Sequence, residues 1–136
     1  MSKGVLSFFV VLTVASIAAL LAGGALLEIP LPGGLPLGNL VTACTLCAPA
    51  GVAVGLGPPK TLVRYFSLAS LAAACAWLPA SIALAGNLSL NFEGANGEMW
   101  LVLTLVTFVA VYCSLAWALI VRLLIRFRRG ASSGHT

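Results

Sequence analysis

The chain has 136 residues, enough for one domain. Of these residues 61% are hydrophobic and only 7% are charged, whereas soluble domains carry about 25% charged residues. A surface this apolar would aggregate in water, so the composition excludes a soluble globular domain and favours a lipid bilayer as the solvent. The net charge of +4 does not indicate nucleic acid, because the Lys and Arg residues flank apolar runs, as topology determinants do.

Four apolar segments have the length of membrane spans, since a helix needs roughly 20 mostly apolar residues to cross the hydrocarbon layer. They are residues 5–27, 37–56, 62–85 and 99–127, the last continuing into a basic tail. We therefore predict an all-α fold, an integral four-transmembrane-helix bundle that forms a single membrane domain over residues 1–136, with a flexible tail at 130–136. Segment 37–56 is short and contains Pro49, so a re-entrant hairpin is the alternative there.

The charges predict the orientation of these spans. If Lys3 is cytoplasmic and there are four crossings, every Lys and Arg falls on the cytoplasmic side, as the positive-inside rule requires. Glu28, Glu93 and Glu98 then fall on the opposite side. We expect both termini in the cytoplasm, and the small size and Ala/Gly/Leu richness indicate a bacterial inner membrane.

Small residues at four-residue spacing predict how the helices pack, because they let two backbones approach closely. The second segment has the row Ala43, Cys47, Gly51 and Gly55, and the fourth has Ala110, Ser114 and Ala118. A similar row in the third, Ala72, Ala76 and Ala80, is attributed to the abundance of alanine. The second segment is therefore predicted to be central. Trp100, near the external end of the fourth, is expected to be an interfacial anchor.

The cysteines give one chemical hypothesis. Cys44 and Cys47 form a C-x-x-C pair, a spacing used by redox dithiols and metal sites. Cysteine also serves as a small buried apolar residue, and we favour that interpretation. A metal site is not expected, because the only histidine, His135, lies in the tail, and no motif in the chain indicates a cofactor.

The absence of charged residues from the middle of the spans counts against ion-coupled transport, which normally needs them. The polar groups there are hydroxyls, which can bond to their own helix backbone. An oligomeric channel or transporter subunit lined by hydroxyls remains an alternative.

A basic group ends the fourth segment: Arg122, Arg126, Arg128 and Arg129. The spacing places Arg122, Arg126 and Arg129 on one helix face, where they can meet anionic lipid or a partner. We favour the simpler interpretation that they anchor the topology.

From the sequence, the expected function is non-catalytic. The chain is predicted to act through helix or loop contacts with other membrane components, as an accessory, assembly or immunity-type protein. Its expected partners are the lipid bilayer and a membrane protein or further copies of itself. A membrane thiol-disulfide oxidoreductase using Cys44 and Cys47 is the alternative enzyme.

Overall fold

A computed structural model describes residues 1–132 of the chain and the side chains of residues 1–129. These residues form four α-helices, each long and apolar enough to cross a membrane: α1 (Lys3–Ala22), α2 (Leu37–Leu56), α3 (Leu62–Ala85) and α4 (Ala95–Ser132). A short 3₁₀ helix, Ala25–Glu28, follows α1.

The first predicted span, 5–27, is too long at its C-terminal end, because two glycines stop the helix early. Gly23 and Gly24 have φ values of 58° and 90°, a left-handed conformation that glycine adopts without strain. The chain therefore leaves α1 at Ala22 and makes a separate 3₁₀ turn. At the other end, the Ser2 side chain caps the helix by accepting from the Val5 amide at 3.3 Å.

The second and third helices have the predicted bounds. α2 is one uninterrupted helix of 20 residues, so the alternative of a re-entrant hairpin is wrong. α4 is longer than predicted: its 38 residues span about 57 Å at 1.5 Å per residue. It continues into the predicted tail as far as Ser132, and residues 133–136 lie outside the described part of the chain.

Helix α2 packs against each of the other three helices, which agrees with its predicted central position. In its most apolar stretch 56% of the residues are buried, against 11% in α1. α3 also packs against α4, but within the described residues α1 has no comparable contact with α3 or α4. The helices thus form a compact group, α2 to α4, with α1 attached to one side of α2.

Two apolar clusters hold α2, α3 and α4 together. The larger one has Leu46 and Ala50 of α2, Ala74 and Trp77 of α3, and Val111 of α4. The second cluster, formed by Ala53, Val63 and Ala118, lies at the end of the molecule where α2 ends and α3 begins. Burial of small side chains in both clusters brings the helix backbones close together.

Consecutive helices run antiparallel, which sorts the charges to the two ends. Near the start of α1, Leu6 lies beside Gly55 at the end of α2, and the opposite loops meet where the Ser89 hydroxyl donates to the Gly34 carbonyl at 3.4 Å. All seven Lys and Arg residues lie at one end, the cationic end: Lys3, Lys60, Arg64, Arg122, Arg126, Arg128 and Arg129. Glu28, Glu93 and Glu98 lie at or near the other, the acidic end.

Candidate functional site

The predicted small-residue row of α2 contacts α1 at one end and α3 and α4 at the other. A methyl group on Gly51 would lie only 2.7 Å from the Phe9 ring, and one on Gly55 would lie 3.0 Å from Leu6 Cδ1, so both glycines receive side chains of α1. Ala43 and Cys47, by contrast, pack in or against the larger apolar cluster with α3 and α4. Residues four apart turn about 40° around a helix, so one row can contact α1 at one end and α3 and α4 at the other.

The predicted row of α4 faces inward. Ser114 and Ala118 are fully buried, and the Ser70 hydroxyl of α3 donates to the Ala110 carbonyl at 3.2 Å. The Ser114 hydroxyl donates to the Val111 carbonyl of its own helix at 2.7 Å. Both rows therefore serve the internal packing of the chain.

Pro49 leaves one backbone carbonyl of α2 without its helical hydrogen-bond donor, and a side chain of α4 supplies another donor. Proline has no amide hydrogen, so the Thr45 carbonyl one turn earlier loses its helical donor. The Tyr112 hydroxyl of α4 donates to this carbonyl at 3.2 Å. The hydrogen bond supplies the missing donor and joins α2 to α4 in an apolar region.

Two tryptophans and two hydroxyl residues form a reciprocal hydrogen-bonded link between α3 and α4. The Trp77 indole donates to the Thr104 hydroxyl at 2.9 Å, and that hydroxyl donates to the Trp100 carbonyl at 2.8 Å. In return, the Trp100 indole donates to the Ser81 hydroxyl at 3.1 Å, which donates to the Trp77 carbonyl at 2.7 Å. Trp100 thus uses its N–H within the protein, and its role as an interfacial anchor stays a prediction.

The outward side of α3 carries mostly small side chains in its middle section. Its middle section exposes small side chains on a single face, which we call the alanine face: Ala69, Ala72, Ala73, Ala76 and Ala83, with Ala80 half-buried among them. In contrast, the outward side of α4 carries Leu101, Val102 and Leu105, each close to 60% exposed. The row Ala72, Ala76 and Ala80, attributed to chance in the sequence, therefore belongs to a coherent outer surface.

A backbone carbonyl lies at the edge of the alanine face without its helical donor. Pro79, which is exposed, cannot donate to the Cys75 carbonyl one turn earlier. Among residues 1–129, no side chain takes the place of this donor, whereas Tyr112 does so for Thr45. Cys75 itself is an exposed residue of α3.

The cysteine contact that the structure shows differs from the predicted pair. Cys47 Sγ lies 3.9 Å from Cys75 Sγ, so the thiols of α2 and α3 touch between the helices. All four cysteines are free, and Cys75 and Cys113 are exposed. Among the described residues, no group of His, Cys, Asp and Glu side chains has the arrangement of a metal site. Redox activity of Cys44 and Cys47 stays a prediction.

The basic residues of the cationic end have different surroundings. Arg64 donates to the Val54 carbonyl, one of the last carbonyls of α2, and so stabilises the turn between α2 and α3. Arg122, Arg126 and Arg129 line a pocket with Pro58 and Pro59 of that turn. Arg128 is not part of this lining, although it belongs to the same basic group.

Comparison of the chain with protein-family models, with curated proteins and with solved structures found no match.

Proposed function

We propose that this chain is a non-catalytic, multi-pass membrane protein that acts by binding a transmembrane helix of another membrane protein on the alanine face of α3. The observation that carries the proposal is the combination, on the outer side of α3, of exposed alanines with the Cys75 carbonyl, which Pro79 deprives of its usual helical donor. The broader role is that of an accessory, assembly or immunity-type protein.

The alanines favour a helix as the occupant. Helices in lipid gain little from hydrophobic contact, and they associate where small side chains let the backbones approach and gain dispersion contacts. The outward side of α4 carries large side chains such as Leu101, Val102 and Val106, each close to 60% exposed, which keep another backbone at a distance. The exposed alanines of α1 lie among the large exposed side chains Val11 and Leu21. α3 therefore offers the surface that best accepts a second helix.

The Cys75 carbonyl adds a chemical requirement for the partner. A carbonyl without a hydrogen bond in hydrocarbon is unfavourable, and lipid tails cannot compensate because they have no hydrogen-bond donors. A partner helix that carries a hydroxyl or indole donor would complete this bond, as Tyr112 does for the Thr45 carbonyl within the chain. The expected partner is thus a helix with a Ser, Thr, Tyr or Trp residue facing α3.

A photo-crosslinking residue placed at Ala73 in living cells tests the proposal. We expect one discrete adduct with another membrane protein, and Ala76→Leu is expected to abolish it because the larger side chain separates the two helices. Ala18→Leu, at an exposed alanine of α1, is the matched control and should leave the adduct unchanged. Absence of any discrete adduct with the wild-type face would contradict the proposal.

The carbonyl is tested separately by Pro79→Ala, which restores an amide donor within α3. The partner's hydrogen bond is then no longer needed, and we expect about threefold weaker association, since hydrogen bonds between membrane helices contribute about 0.6 kcal/mol on average. An adduct with twice the mass of the chain would identify the partner as a second copy. Unchanged association in both Ala76→Leu and Pro79→Ala would reject the alanine face as the binding surface.

A further inference from the structure

At the cationic end, a pocket of about 390 Å³ lies between the turn after α2 and the extension of α4. Pro58 and Pro59 form one wall, and Arg122, Ile125, Arg126 and Arg129 form the other. The volume is within the range of small-molecule sites, roughly 300–1,000 Å³. The two rigid prolines make this a concave site, whereas the exposed side of a basic helix alone would be convex.

The charge in this pocket is positive and local. Arg122 and Arg126 are four residues apart and so lie on one side of α4. Within the described residues, the three acidic side chains, Glu28, Glu93 and Glu98, lie at or near the acidic end. A guanidinium group presents paired N–H donors that match two oxygens of a phosphate group, so the pocket is suited to phosphate.

The position of the pocket relative to the apolar clusters indicates which kind of molecule carries the phosphate group. Arg122 is one helical turn beyond Ala118, the α4 member of the apolar cluster at this end. Ile125 and the prolines make part of the lining apolar, and Leu119, a turn closer to the hydrocarbon, is 44% exposed beside the arginines. A phospholipid head group at the bilayer boundary would find arginines for its phosphate and Leu119 for its chains.

We propose that this pocket is a binding site for one anionic phospholipid, with its phosphate held by Arg122 and Arg126 and its glycerol region placed against Ile125 and Pro59. The site is separate from the alanine face of α3 and does not depend on the proposed function. Basic pockets beside membrane helices on the cytoplasmic side are a known mode of lipid head-group binding.

Native mass spectrometry of the full chain in an uncharged detergent tests the site, with phosphatidylglycerol as the probe. We expect one phosphatidylglycerol to bind in preference to phosphatidylcholine. Arg126→Gln and Arg122→Gln should each weaken this binding by about tenfold, because each removes a charge-assisted hydrogen bond. Arg128→Gln removes the same charge outside the pocket and should bind as the wild type does.

Inorganic phosphate in the millimolar range distinguishes a lipid from a free anion. We expect it to displace little of the bound phosphatidylglycerol, since it cannot use the apolar part of the pocket. Equal losses in Arg126→Gln and Arg128→Gln would overturn the proposal, because binding would then follow the net charge alone. Full displacement by inorganic phosphate would overturn the assignment to a lipid. Arg122 and Arg126 are exposed, and unchanged melting temperatures without lipid would confirm that the variants are folded.

Discussion

Pro49 and Pro79 have the same chemical effect and opposite surroundings. Each removes an amide donor from its helix, so the carbonyls of Thr45 and Cys75 lack their usual helical hydrogen bond. Thr45 finds Tyr112 inside the protein, and Cys75 faces outward. The sequence showed both prolines, but it could not show which carbonyl another helix would satisfy, because that depends on how the helices pack.

Tyr112→Phe tests the internal bond. Loss of the hydroxyl leaves the Thr45 carbonyl unpaired, and we expect the free energy of unfolding in detergent to fall by about 0.5–1.5 kcal/mol. In a Pro49→Ala background, the restored amide can satisfy that carbonyl, so the same tyrosine substitution should cost less. Tyr65→Phe, at an exposed hydroxyl, is the control. Equal costs of Tyr112→Phe in the two backgrounds would show that the bond to Thr45 is not what the hydroxyl contributes.

Gly51 is a second position that a substitution can test, because even one added carbon atom would clash with α1. Gly51→Ile drives a side chain into the Phe9 ring, and we expect a loss of about 1–3 kcal/mol, the usual cost of overpacking. Melting in detergent measures the effect. Phe9→Ala should recover part of the loss, because it makes room for the new side chain. Gly4→Ile is the control, since a side chain at Gly4 meets open space; an equal loss there would mean that the clash with Phe9 is not the cause of the loss at Gly51.

At the scale of the helices, the apolar segments predicted where α2 and α3 begin and end, because a glycine, Gly57 or Gly86, follows each apolar run and caps its helix. The ends of α1 and α4 were harder. Two left-handed glycines stop α1 within an apolar run, and α4 begins at Ala95 and continues to Ser132, beyond the predicted bounds of 99 and 127. Backbone conformation decides these ends, and composition describes it poorly.

The pairing of helix faces could be predicted only in part. The row that contains Gly51 and Gly55 correctly indicated a closely packed α2. The reciprocal bonds of Trp77 and Trp100 were missed, because four residues on two helices must align before either indole finds its hydroxyl. The alanine face was also missed, since its alanines were attributed to the abundance of alanine in the chain and only the structure shows that they share the outward side of α3.

The contact between Cys47 and Cys75 provides a test of the register of α2 and α3. Mild oxidation with copper phenanthroline and oxygen should join the two sulfurs, with loss of one hydrogen from each thiol to the oxidant, because they already lie 3.9 Å apart. Peptide mapping by mass spectrometry would find the linked pair. The link should disappear in Cys75→Ser and persist in Cys113→Ser. A product that joins Cys44 to Cys47 in its place would contradict the observed packing and support the C-x-x-C hypothesis.

For the whole molecule, the separation of charges follows from antiparallel helices and can be read directly from the sequence. The sidedness of the chain in a membrane stays a prediction, tested in a cysteine-free background with an impermeant maleimide on intact cells. We expect Glu93→Cys to be labelled from outside and Lys60→Cys only after permeabilisation, because cationic residues stay on the cytoplasmic side. Labelling of Lys60→Cys in intact cells would reverse the orientation or change the number of crossings.

The attachment of α1 has a consequence for how the protein would respond to a surrounding bilayer. Hydrogen bonds tie α2, α3 and α4 to one another, whereas within residues 1–132 the side chains of α1 bond only to its own backbone. A lipid that enters between Phe9 and Gly51 therefore breaks dispersion contacts but no hydrogen bond. Changes in bilayer thickness or lateral pressure should therefore separate α1 from α2 first, while the other three helices keep their arrangement.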